Sequence, residues 1–161
     1  MREFPFYIFI DSCAFHPPQA SEKTAVSELF KLKEEGKISD LISYKVDQEL
    51  SKAPSRIARQ RIGKIYTMPV SLTIDERKTQ LEIRNLLFGD KQKLKSNERN
   101  DVDNIFEAQK YGYMYFVTLD KNHILSKTAQ IEKRFKMKVV TPSECLREIK
   151  EWLARYDQNT K

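Results

Sequence analysis

Hydrophobic positions along this chain follow two alternating patterns. Residues 6–10 (Phe-Tyr-Ile-Phe-Ile) are an unbroken aromatic and β-branched run, which predicts a strand buried on both faces and therefore central in a parallel sheet. Residues 114–119 repeat the pattern and close on Asp120, as the first run closes on Asp11. Elsewhere the period becomes helical. Residues 21–35 place Ala25, Val26, Leu29, Phe30 and Leu32 on one stripe that stops at Gly36. Residues 74–88 do the same with Leu81, Ile83, Leu86 and Leu87 and stop at Gly89. Asn100 is the expected cap of a helix running to Tyr111, with Val102, Ile105, Phe106 and Ala108 facing inward. Helices over 121–135 and 143–156 flank a last strand at 138–141, with Pro142 at the switch.

Other segments are less regular. Residues 41–46 predict a second short strand, continued by a short helix over 47–50 that Pro54 halts. Residues 55–64 are basic and expected to be helical, 66–73 contain Pro69 and suit an edge strand or extended loop, and 91–97 form a polar connection. Strands alternating with helices predict an α/β fold, a three-layer α/β/α sandwich with a mostly parallel central sheet. The 161 residues suit one domain. In such sheets ligands bind beyond the carboxyl ends of the strands.

Composition narrows the picture. Hydrophobic residues make up 40% and charged residues 32% of the chain, too apolar for disorder and too charged for a membrane protein. Asp11 interrupts the first apolar run far short of the roughly 20 residues a span needs, and no small-residue cleavage site follows it. The expectation is a cytoplasmic protein with no membrane partner. Cys13 and Cys145, with His16 and His123, are too few for a cysteine/histidine zinc site. Cys13 reads as a buried small residue and both histidines as structural. Lysine and arginine exceed acids by 29 to 23, a net charge of +6, which favours a polyanionic partner.

Candidate chemistry lies in the acids. Asp11 and Asp120 each follow a buried strand, Glu49 follows the second strand, and Asp103 lies in the helix before the Asp120 strand. Glu49 is preferred over Asp47 because its longer side chain reaches back toward a central site. Asp103 is preferred over Asp101, which reads as a first-turn acid complementing the helix dipole. Carboxylates about 4 Å apart repel by around 4 kcal/mol at an effective dielectric near 20. A hard divalent cation, Mg2+ or Mn2+, offsets this with oxygen ligands alone and can activate a water against a phosphodiester. Arg56, Arg59, Arg61 and Lys64 belong to a basic stretch without an acid, and clustered arginines clamp phosphates.

Four segments resemble the acidic motifs of PIN-domain ribonucleases in order and spacing: Ile8-Phe-Ile-Asp11-Ser-Cys, Tyr44-Lys-Val-Asp-Gln-Glu49-Leu, Asp103-Asn-Ile-Phe-Glu-Ala108 and Tyr115-Phe-Val-Thr-Leu-Asp120-Lys. The resemblance implies a metal-dependent endoribonuclease in which Asp11, Glu49, Asp103 and Asp120 are metal-site acids and Ser12 and Thr118 supporting hydroxyls. Many small members are toxins of toxin-antitoxin pairs, similar to the VapC type, so it also implies an antitoxin partner and a homodimer. The alternative is an RNA-binding regulatory module on the same scaffold. A pure RNA binder, however, gains nothing from a negative pocket. A phosphatase of the haloacid-dehalogenase type is disfavoured because Cys13 stands where its second aspartate is needed, and no glycine-rich phosphate loop occurs.

Overall fold

β-branched and aromatic side chains on both faces put the first strand at the centre of the molecule. In β1 (Tyr7–Ile10), the consecutive residues Ile8, Phe9 and Ile10 are all buried, so both faces of the sheet are covered there. The computed structural model describes residues 6–43, 64–66 and 71–159, with backbone alone for 40–43 and 64–66. Around β1 lies a parallel sheet of β2 (Ser39–Ser43), β3 (Lys64–Tyr66), β4 (Tyr115–Val117) and β5 (Lys138–Val140), in the order β3-β2-β1-β4-β5. Phe9 pairs in register with Phe116, and their rings stack at 5.1 Å, a cross-strand aromatic pair that pins the alignment.

The helices follow from the stripes. In α1 (Ala20–Glu34) the buried residues are Ala25, Val26, Leu29 and Phe30, and Gly36, at φ 71°, ends it in the left-handed region that glycine enters without strain. α2 (Ile74–Phe88) opens on a reciprocal capping box between Thr73 and Glu76. α3 (Ser96–Lys110), α4 (Thr128–Phe135) and α5 (Pro142–Asn159) complete the set among the described residues. α1 packs on α5 and α2 on α3. Trp152 of α5 meets Phe6 edge to face at 4.7 Å, so it is spent in packing.

Several expectations need correction. α3 begins four residues before Asn100, because Glu98, at its third position, accepts the Lys95 N–H at 2.7 Å and the Lys91 ammonium, and so caps the earlier turn. Part of the expected polar connection is therefore helix. Lys64 opens β3 instead of closing a basic helix. The expected helix over 121–135 is a turn, a short 3-10 segment (Leu125–Lys127) and then α4. Glu49, Arg56, Arg59 and Arg61 lie outside the described residues. Among the described residues no helix is long and apolar enough to cross a membrane.

Strand order determines where a site can form. The chain runs outward from β1 through β2 to β3, then returns to the other side of β1 with β4 and β5. Connections leaving β1 and β4 thus diverge, which opens a crevice at their carboxyl ends.

Candidate active site

Asp11 and Asp120 come to that crevice from adjacent strands. Asp11 directly follows β1 and is buried, and its backbone N–H donates to the Val117 carbonyl of β4, extending the ladder by one bond. Its Oδ1 accepts the Ser12 N–H at 2.8 Å. Its Oδ2 accepts the hydroxyl of the fully buried Thr118 at 2.9 Å and the Cys13 thiol at 3.4 Å. Thr118 Oγ1 in turn accepts the Asp120 N–H at 3.1 Å. One hydroxyl therefore couples the two aspartates, donating to one side chain and accepting from the backbone of the other. Asp120 Oδ1 accepts the N–H groups of Asn122 and His123 at 3.1 and 3.0 Å, which tightens the turn after β4. The capping role that makes aspartate common after strands is thus real here, and it leaves Oδ2 facing His123 Nδ1 at 3.5 Å.

A cavity of about 310 Å3 lies over these groups, lined by Asp11, Ser12, Cys13, Leu119, Asp120, Asn97 and Asp101. Asn97 and Asp101 sit one turn apart on α3 and therefore share a face. Ligand atoms of Asp101, Asp120 and His123 all lie within 4.8 Å of one another. Asp103, expected in this constellation, is on the other side of α3. Two residues turn a helix by about 200°, and Asp103 accepts a hydrogen bond from Gln80 of α2 at 2.9 Å in a separate cavity. Asp103 does have the partner that a half-buried carboxylate requires, but it is a neighbouring helix and not the crevice. Ser12 and Thr118 both belong to the site, Ser12 lining the cavity and Thr118 holding Asp11 beneath it.

No family model and no curated protein matches this chain.

Cys13 corrects another expectation. The residue is exposed, yet its sulfur contacts Asp11 Oδ2, Thr118 Oγ1 and the Leu119 N–H, each at 3.4 Å. Desolvation of the sulfur and then the Asp11 charge push its thiol from an ordinary 9.0 up to about 12. Three of the residues lining the cavity are carboxylates, Asp11, Asp101 and Asp120, and carboxylate oxygens are the donors that suit a hard divalent cation. Sequence reasoning passed over Asp101, Asn97 and His123. The available signal was spacing: Asn97 and Asp101 stand at i and i+4, and His123 stands three residues after Asp120.

Proposed function

We propose that this chain is a Mg2+- or Mn2+-dependent endoribonuclease, built as an α/β/α sandwich of the PIN type. The observation that carries the reading is the meeting of Asp11, Asp101 and Asp120 around one cavity at the strand-order reversal of a parallel sheet. Asp11, Asp101 and Asp120 would hold the cation, with Glu49 as a further acid from the sequence. When bound, such an ion supplies charge neutralisation and an acidified water for attack on phosphorus.

The chain's own residues do the positioning. Thr118 orients the Asp11 carboxylate and keeps Oδ2 in place, while the Ser12 N–H holds Oδ1. A carboxylate oxygen has two lone-pair directions, and Asp11 Oδ1 uses one of them for the Ser12 N–H. The turn from Asp120 to His123 fixes the second acid through two backbone N–H donors. Arg56, Arg59, Arg61 and Lys64 are the proposed RNA-phosphate contacts. The excess of positive charge draws a polyanion toward a site that is itself negative until a cation is bound.

The test is cleavage of end-labelled RNA in Mg2+, Mn2+ or EDTA, with Asp11→Asn alongside wild type and circular dichroism to show that both fold. Cleavage is expected with either ion and none in EDTA. Asp11→Asn should lose at least the roughly 10- to 100-fold that disturbing an outer-shell partner costs. Metal-independent cleavage, or equal rates in the two proteins, overturns the proposal.

A further inference from the structure

A second cavity, of about 270 Å3, lies between α2 and α3 on the far side of α3 from the acids. Three arginines, Arg77, Arg84 and Arg99, line it against one aspartate, Asp103, whose Oδ1 is engaged by Gln80. The arginines are not equivalent. Arg84 donates through Nη2 to the carbonyls of Lys91 and Gln92 at 3.1 and 2.9 Å and so fastens the connection between the helices. Arg77 and Arg99 are exposed, and neither guanidinium has a hydrogen-bond or ion-pair partner among the described residues. Two exposed cations at the rim of a cavity, one on each helix, offer paired donors to an anion. The cavity wall is not only polar. Leu81 is 55% exposed at its edge, and the buried Leu94 and Val102 form its floor.

Cationic rim and apolar floor together match a nucleotide better than a bare anion. The guanidinium fork binds a phosphate through paired hydrogen bonds, and an apolar floor accepts the face of an unstacked base. The volume is just under the roughly 300–1,000 Å3 of small-molecule sites, enough for one nucleotide and too small for a duplex. From this geometry we infer that the α2–α3 cavity takes a single unpaired nucleotide of an RNA strand, its phosphate held by Arg77 and Arg99 and its base on Leu81, Leu94 and Val102. The inference rests on the ribonuclease reading in one respect, that the occupant is RNA. Arg99 and Asp101 are two residues apart on α3, so cavity and acids are separated by the width of a helix, about 10–12 Å, which a short length of single strand spans. The arginine cavity thus grips RNA beside the position of cleavage.

The experiment measures binding without metal. Fluorescence anisotropy of a labelled single-stranded RNA in EDTA, with gels to show that it stays intact, compares wild type with the double variant Arg77→Ala/Arg99→Ala. Arg147→Ala/Arg155→Ala on α5 is the charge-matched control, and Arg84 is left alone because it holds a connection together. The cavity variant should bind about tenfold or more weakly, and its slope of log affinity against log salt should fall by about 1. The control should change less than twofold. A mononucleotide should displace the RNA from wild type at a concentration at least tenfold below that of inorganic phosphate. Unchanged affinity in the cavity variant overturns the inference, and so does equal competition by phosphate. Tighter binding of a glutamate-rich peptide than of RNA, dependent on the same arginines, overturns it in favour of a protein partner. If Asp11→Asn cleaves like wild type while the arginine dependence holds, the nuclease reading fails and the RNA cavity stands. If cleavage needs Asp11 and the double variant binds normally, the reverse is true.

Discussion

Thr118 carries more of the site than its size suggests. Replacing it with valine keeps the shape, removes the donor to Asp11 Oδ2 and strips the Asp120 N–H of its acceptor. Thr118→Val should lose about 1–3 kcal/mol of stability by denaturant titration, since buried polar groups are left unpaired. It should also lose roughly 10- to 100-fold in Mn2+ affinity, and Thr118→Ser should restore most of both. Cys13 gives a pH test. With its thiol pushed from 9.0 up to about 12, alkylation by iodoacetamide should stay slow at pH 8 and accelerate only in strongly alkaline buffer. Asp11→Asn should move that profile downward, though not to 9.0, because burial is the larger cause and remains. The folded state holds this proton more tightly than the unfolded chain. The resulting stability is complete below about pH 9 and is lost as pH rises toward about 12. Asp11, Ser12, Thr118 and Asp120 were legible because each stands at or just past the end of a buried run. His123 was not, because a lone histidine after a strand carries no period.

At the scale of elements, α3 decides which acids belong together. Sequence reasoning chose Asp103 because Val102 and Ile105 flank it. That argument identifies a residue at the border of the buried face, not which neighbour lies across the border. The neighbour is α2, through Gln80. Asp101, read as a dipole acid, lies farther into the helix than expected, because capping by Glu98 starts α3 earlier and puts Asn97 and Asp101 on the crevice side. Manganese titration followed by electron paramagnetic resonance separates the two acids. Asp101→Asn should weaken binding about tenfold or more, and Asp103→Asn should leave it within about twofold. The long helices were readable to within a residue or two at α1 and α2. β3 was not, because three residues at a sheet edge are too few for a period to register.

For the whole molecule, the parallel order β3-β2-β1-β4-β5 does what no single element can. It brings residues 11 and 120 to neighbouring strand ends and opens a crevice between them. A cation that binds only the folded chain must then stabilise it. At a free Mn2+ concentration 100 times the dissociation constant the gain is about 2.7 kcal/mol, which for a chain of this length raises the melting midpoint by roughly 5–10 °C. Differential scanning fluorimetry with Mn2+, Mg2+ and EDTA checks this, and the Asp11→Asn/Asp120→Asn double variant should show little of the shift. Unaltered midpoints in wild type would remove the metal from the picture.

Sequence alone determined the alternation of buried runs and helical stripes, and with it the parallel α/β class and the presence of an aspartate at the end of each central strand. These are properties of neighbouring residues, since side-chain period and strand length depend on a few positions along the chain. Only the tertiary structure decided that β4 lies beside β1, that Asp101 and not Asp103 faces the crevice, and that two arginines stand at an apolar cavity across the same helix. Those outcomes depend on helix rotation and strand order, set by packing between segments tens of residues apart, to which local periodicity is blind.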